Sequence, residues 1–329
     1  MRPAIIVALL LICRLACVAQ ALPPDQTIRP ARWDGTHRVV FFGRGLLKPG
    51  SLPIRSYNFD GSQRGQDIDI FKDFPGVQQV VVMDISAGSG ETVILSAVLN
   101  YGTRTIRHVV LTYDSNGVLR STWDTEPYFA WAIAKDDKGH VFALENRVDE
   151  KRGTKPYPLL GEYDSSGALI RQFLDSDVFR EGSAAIGNGF ELDRAASSLT
   201  FQDHKLYIYA AGENEVLVCN SDGVIIKRER LDYLRHEIAE ADKASIGITQ
   251  VVFADDARVI VNAYDYIPAE NMEKMPPNTY LVDLTTRRYS TIEGPQNIEG
   301  LGVAGGTVVM LAGTADRHAS LKSYPLPTN

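Results

Sequence analysis

The 329-residue sequence has little of what sites of chemistry are usually built from. It carries three cysteines, at positions 13, 17 and 219, and six histidines scattered at 37, 108, 140, 204, 236 and 318. So few thiols exclude a disulfide-stapled scaffold, and stability must come from a buried core. There is no Gly-x-Ser-x-Gly elbow, no Walker loop, no Gly-x-Gly-x-x-Gly after a strand and no His-Glu-x-x-His pair. The usual signatures of serine hydrolases, P-loop NTPases, dinucleotide enzymes and zinc proteases are therefore missing. Basic residues are outnumbered, with 34 Lys and Arg against 41 Asp and Glu, for a net charge of −7. A nucleic-acid or anionic-membrane partner would want a basic stripe, whereas interspersed charges describe a soluble, mildly acidic surface.

Long apolar runs are also lacking. Met1-Arg2-Pro3 leads into an apolar run at 4–13, Arg14 interrupts it, and Ala19 and Ala21 give a small-x-small pattern. The run is about half the length needed to cross a bilayer. Residues 1–21 thus read as a cleaved signal peptide, which leaves a mature chain at 22–329 without an integral membrane segment and predicts a secreted or periplasmic location. Lipid anchoring at Cys17 is not expected, because Arg14 stands where lipoprotein signals carry an aliphatic residue. Removing Arg2 and Arg14 takes the charge to −9 and removes Cys13 and Cys17. Cys219, inside the apolar run 215–219, then reads as a small buried hydrophobe and not as a nucleophile.

What is abundant is short runs of Val, Ile, Leu, Tyr and Phe bounded by Gly, Asp and Asn, recurring in a fixed order. Reference strands are predicted at 38–43, 92–98, 140–146, 205–211, 258–264 and 307–313, six copies whose starts lie 54, 48, 65, 53 and 49 residues apart. Each is followed by a partner, at 54–60, 108–114, 159–164, 215–220, 279–283 and 320–326. Tight turns follow, clearest as Asp114-Ser-Asn-Gly117, Asp164-Ser-Ser-Gly167 and Asn220-Ser-Asp-Gly223. There the first side chain can accept from backbone amides and the glycine tolerates a left-handed conformation. Outer strands are predicted at 67–71, 118–123, 168–173, 224–228 and 288–292, and inner ones at 79–84, 129–134, 198–201, 246–253 and 298–303.

Four strands about every 50 residues is the spacing of propeller blades. The prediction is an all-β, six-bladed β-propeller of four-stranded antiparallel blades in one domain. The last unit runs out of chain before an outer strand, so residues 22–28 are expected to supply it and close the ring. The same region is the available source of the inner strand that the first unit lacks. Insertions fall at 174–197 and at 229–245, where Leu231, Leu234 and Ile238 have helical spacing.

The Tyr-Asp-Ser-Asn-Gly and Tyr-Asp-Ser-Ser-Gly turns between strands resemble those of the secreted bacterial six-bladed propellers of the NHL-like and TolB-like superfamily, over residues 28–329. That resemblance implies the fold, and relatives ranging from protein- or glycan-binding scaffolds to calcium-dependent lactonases. The lactonases hold calcium in the central channel through a Glu, Asn residues and an Asp. Their early Glu-Gly-Pro segment has no counterpart here, since Glu293-Gly-Pro295 lies between the fifth and sixth units in unmatched surroundings. No catalytic residue is carried over.

Loops on one rim are the expected contact surface. The charged stretch starting at Glu145, Asn146 and Arg147 and the group around Asp265 and Tyr266 are candidate ligand contacts. Tyr128 and Trp131 could set aromatics near the channel, although blade packing uses large aromatics equally well. Asp136-Asp137-Lys138-Gly139 reads as a solvated turn and the histidines as polar strand-end residues. The expected function is a binding or scaffold module for protein, peptide or saccharide, without a cofactor. The alternative is a calcium-dependent lactone or ester hydrolase with a central-channel site.

Overall fold

The computed structural model describes residues 20–21, 31–33, 38–41, 45–51, 53–58, 63–87, 93–102, 105–147, 158–175, 178, 197–211, 214–234, 245–266, 278–292, 297–304, 306–313 and 319–326. In chain order the strands are β1 (Gln20–Ala21), β2 (Ala31–Trp33), β3 (Arg38–Phe41), β4 (Gly45–Leu47) and β5 (Arg55–Asn58), followed by a helical turn, α1 (Ile70–Asp73). Then come β6 (Gln79–Ala87), β7 (Val93–Asn100), β8 (Ile106–Tyr113), β9 (Leu119–Asp124), β10 (Tyr128–Lys135), β11 (Val141–Arg147), β12 (Pro158–Tyr163) and β13 (Leu169–Asp175). The series continues with β14 (Ser198–Gln202), β15 (Lys205–Ala210), β16 (Glu215–Asn220), β17 (Ile225–Arg230), β18 (Ser245–Phe253), β19 (Arg258–Tyr266), β20 (Asn278–Asp283) and β21 (Tyr289–Thr291). It ends with β22 (Asn297–Ala304), β23 (Thr307–Gly313) and β24 (Ala319–Pro325).

These strands form six antiparallel sheets, one for each repeat found in the sequence: β2-β3-β5, β4-β6-β7-β8-β9, β10 to β13, β14 to β17, β18 to β21, and β22-β23-β24-β1. The inner strands β2, β6, β10, β14, β18 and β22 touch in that order, and β22 touches β2 again. A cycle of meandering sheets joined at their inner strands is an all-β propeller. Core clusters lie between successive sheets. Val80, Leu95, Leu99, Leu111 and Tyr113 belong to one of them, and Phe142 stacks on Phe201 at 5.4 Å between the third and fourth sheets. Each large side chain so buried contributes about 1.5–3 kcal/mol.

The turns behave as their sequences predict. Asp114 Oδ1 accepts from Asn116 N and Val118 N at 2.8 and 3.0 Å, and Asp164 and Asn220 repeat the pattern. Gly117, Gly167 and Gly223 have φ of 67°, 87° and 81°. These glycines also sit against the preceding sheet: a Cβ at Gly167 would lie 2.2 Å from Trp123, and one at Gly223 2.3 Å from Phe173. At Asp283, where the glycine is replaced, the turn lengthens and Arg287 takes the left-handed conformation at φ 58°.

Three details differ from expectation. The predicted outer strand at 67–71 is one bridge, Ile68 to Ile54, followed by α1. Asp69 caps the turn by accepting from Phe71 N at 3.1 Å, and Ile70 and Phe74, four apart, both bury, so a helical period wins locally. Second, the last sheet is completed from the N-terminal side by Gln20 and Ala21, which pair with Leu321 and Ser320. These two residues belong to the predicted 1–21 leader, and 22–28 lie outside the described residues. The inner strand of the first sheet, β2, lies at Ala31–Trp33, beyond the 22–28 stretch expected to supply it. Third, β4 was not anticipated: it leaves the first repeat and pairs with Val80, Val81 and Val82 on the inner edge of β6. Of the predicted insertion helix, residues 232–234 are helical, with Leu231 and Leu234 buried. Ile238 and most of 174–197 lie outside the described residues. No helix among the described residues is long and apolar enough to cross a membrane.

Candidate functional site

A β-bulge in the inner strand fixes the geometry of the predicted rim. In the third sheet the bulge falls between Ala130 and Ala132, which makes Trp131 the extra residue. Beyond it the rungs are Ala130 with Glu145, Phe129 with Asn146, and Tyr128 with Arg147. Two groups of candidates chosen separately from the sequence are thus direct cross-strand partners. In the fifth sheet the bulge falls between Ile248 and Gln250, and the corresponding rungs are Ile248 with Ala263, Gly247 with Tyr264, Ile246 with Asp265, and Ser245 with Tyr266. Counted from the bulge, Arg147 and Asp265 occupy equivalent rungs two sheets apart. Only the backbones of Asn146, Arg147, Asp265 and Tyr266 are among the described residues.

Trp131 is buried, edge-on to Phe129 at 4.2 Å, and His108 meets Phe129 at 4.3 Å. This aromatic group packs the second sheet against the third. Tyr128 is half-buried and packs against the core cluster shared by the third and fourth sheets.

Glu145 is the unexpected member. It is fully buried, at 0% exposure, on a rung where the second, fifth and sixth sheets have Ala97, Ala263 and Met310. Tyr163 donates its hydroxyl to Glu145 Oε1, and Oε2 has no hydrogen-bond partner among the described residues. Room for the carboxyl comes from Gly161, where a Cβ would stand 2.9 Å from Oε1 and 2.6 Å from the Tyr163 ring. Burial raises the Glu145 carboxyl to about 7, against smaller lowering effects of Tyr163 and the Gln172 amide. Gln172 Nε2 itself reaches no bond of ordinary geometry. Burial and the facing carboxyl both hold the proton on Tyr163.

Four other buried polar side chains, Asp84, Ser96, Ser198 and Asn262, have a structural task that sequence reasoning missed. Ser96 Oγ donates to Ala130 O at 2.5 Å, Ile133 N donates to Asp84 Oδ2 at 3.0 Å, and Ser198 Oγ donates to Val251 O at 2.8 Å. Asn262 takes both bonds at once, accepting from Gly300 N at 2.8 Å and donating to Gly300 O at 2.9 Å. Each link joins one sheet to the inner strand of the next, close to its bulge, where a regular ladder would leave backbone groups unpaired. The recurrence of a single polar residue in otherwise apolar strands was the available signal.

Features dismissed from sequence keep that standing. Asp136 Oδ1 accepts from Lys138 N and His140 N, as a turn residue does. His140 Nδ1 lies 2.9 Å from Glu162 Oε1, and Arg171 Nε donates to Glu162 Oε2 at 2.5 Å. His204 falls in the left-handed hairpin turn with Asp203. Cys219 is buried and unpaired, its thiol pushed up to about 11 by burial, and so is unsuited to attack. No group of three or more His, Cys, Asp or Glu among the described residues is placed to hold a metal ion.

No protein family matches this sequence, and no curated protein matches it either. The fold does have solved counterparts. A protein of Bacteroides fragilis described as exported superposes with a TM-score of 0.54 at 10% identity, covering 94% of each chain. A member of the DUF4221 family from Bacteroides vulgatus superposes at 0.50, also at 10% identity, covering 94% of this chain and 96% of that one. Identities this low make the chain similar to both in fold alone.

Proposed function

We propose that this chain is an exported six-bladed propeller of the NHL-like and TolB-like kind that acts as a binding module for a protein, peptide or saccharide. The observation that carries this reading is the placement of the two charged candidate groups on equivalent rungs of the third and fifth sheets, at the ends of the strands from which the rim loops leave. Export is supported by the leader-like N-terminal sequence and by the fold shared with a protein described as exported. A ring of sheets that sets the spacing of its strand ends suits recognition by residues carried on those ends.

The test substitutes Arg147→Ala and Asp265→Ala separately and screens native and variant chains against one panel of peptides and glycans. A ligand captured by the native chain should bind each variant at least several-fold more weakly, with Tm unchanged in both. Ligands that bind all three chains equally would overturn the rim assignment.

A further inference from the structure

The hairpin turn of the second sheet differs from its two counterparts at one position. Asp164-Ser-Ser-Gly167 and Asn220-Ser-Asp-Gly223 place a hydroxyl or a carboxylate before the glycine, whereas Asp114-Ser-Asn-Gly117 places a carboxamide there. Asn followed by Gly is a reactive pair, because glycine has no side chain to obstruct attack of its own backbone nitrogen on the preceding Cγ. Asn116 is exposed, and its carboxamide makes no hydrogen bond among the described residues.

The turn itself restrains the reaction. Gly117 N, the atom that would attack, donates to Asp114 O at 3.0 Å. Asp114 Oδ1 accepts from Asn116 N and Val118 N at 2.8 and 3.0 Å, which pins the backbone on both sides of the pair. The first sheet clamps the turn from outside. Gln66 N donates to Ser115 O at 2.9 Å, and a Cβ at Gly65 would stand 2.4 Å from that same oxygen. Gly117 in turn packs on Asp67, whose carbonyl oxygen would lie 2.5 Å from an added Cβ. Cyclisation needs Gly117 N to leave Asp114 O and the peptide between Asn116 and Gly117 to rotate. Both movements require the contacts with the first sheet to open.

We propose that Asn116 is a one-way modification site: when the seam between the first and second sheets opens, Asn116 deamidates through Gly117, and isoaspartate then keeps the seam open. Gly117 N bonds to Asn116 Cγ, and the side-chain nitrogen leaves as ammonia with the Gly117 proton. Water then adds to one of the two ring carbonyls and breaks its bond to nitrogen, giving Asp or isoaspartate with no change of oxidation state. In isoaspartate the chain runs through the side-chain carbons and gains one backbone atom. The turn has no room for it, since not even a Cβ fits between Gly117 and Asp67. None of these residues belongs to the rim candidates, so the proposal stands apart from the rim reading.

The experiment incubates the full chain at mildly alkaline pH with and without urea and follows deamidation by peptide mass spectrometry. Asn188-Gly189, the other Asn-Gly pair of the sequence, calibrates the reaction in urea, where the two sites should react alike. Asn116 should react at least ten-fold more slowly in the folded chain than in urea, the factor that about 1.4 kcal/mol of opening free energy supplies. Gly65→Ala, which presses on Ser115 O, should raise the folded rate at Asn116 several-fold and leave the rate in urea unchanged. The isoaspartyl chain, separated after reaction in urea and returned to native buffer, should have lost the hydrogen-exchange protection of the Gln66 amide. Asn116→Asp, which keeps the ordinary backbone, should retain it. The proposal is overturned if Asn116 reacts as fast folded as in urea, if folded Gly65→Ala reacts no faster than the native chain, or if the isoaspartyl chain protects Gln66 as the native chain does. Should Gly65→Ala fail to fold, the other two measurements decide.

Discussion

Glu145 shows how much one side chain can ask of its neighbours. Ionised, it would be a fully buried charge with a single hydrogen bond, so the folded chain holds its proton up to about pH 7, well above the ordinary 4.5. The folded state therefore binds more protons than the unfolded state between these values, and stability falls as pH rises from about 4.5 through about 7, then levels. At the limit the loss is on the order of 3 kcal/mol, from about 1.4 kcal/mol per unit. Glu145→Gln, which keeps the shape and removes the ionisation, should flatten this part of the pH–stability curve and exceed the native chain in stability at pH 8. Denaturant titrations at pH 5, 6, 7 and 8 check it, and parallel curves for the two chains would refute the assignment. The residue was visible in the sequence as a charged candidate on a rim loop. Its burial was not, because the space it occupies is created by a missing side chain at Gly161, in another strand.

At the scale of elements, the hairpin turns do more than reverse the chain. Gly167 and Gly223 are needed for their positive φ and also for close approach to Trp123 and Phe173 on the preceding sheet, so each turn doubles as an inter-blade contact. Gly167→Ala should cost about 2–4 kcal/mol, combining left-handed strain with overpacking. Thermal unfolding measures this, and a loss below about 1 kcal/mol would show that the turn can draw away from Trp123 without cost. These elements were legible because their signals are local: a β-rich run, an Asp or Asn, and a Gly at the fourth place. All six reference strands fall where the sequence puts them for that reason. The short β4 was illegible because its pairing is made with another repeat. The bulges were hidden too, since an extra residue in β10 or β18 appears only when the register with β11 or β19 is known. The segment at 67–71 misled because its alternation could serve a strand, while the Asp69 cap and the Ile70–Phe74 spacing favour a turn of helix.

The whole molecule is a cycle of sheets whose ends meet through Gln20 and Ala21. Closure of this kind covers an edge that would otherwise invite pairing with another chain. It also bears on the proposed export: a mature chain that keeps β1 would be processed before Gln20, where Cys17-Val18-Ala19 offers a small-x-small site. Sequencing of the mature N-terminus should begin at or ahead of Gln20, and a start at Leu22 would mean that β1 is absent from the working protein. The repeat pattern made this architecture readable, but the same pattern absorbed most of the Asp, Asn and Gly residues that had resembled a site. Among the described residues, the ends of the third and fifth sheets carry candidates that the turn pattern does not use.

The central claim, that this propeller recognises a ligand and does not hydrolyse one at a channel-bound calcium, is most directly tested by thermal unfolding in millimolar calcium and in chelator. An ion bound only by the folded chain must raise its apparent stability. The account predicts superimposable unfolding curves in the two conditions. A saturable rise in Tm with calcium, reversed by the chelator, would contradict it.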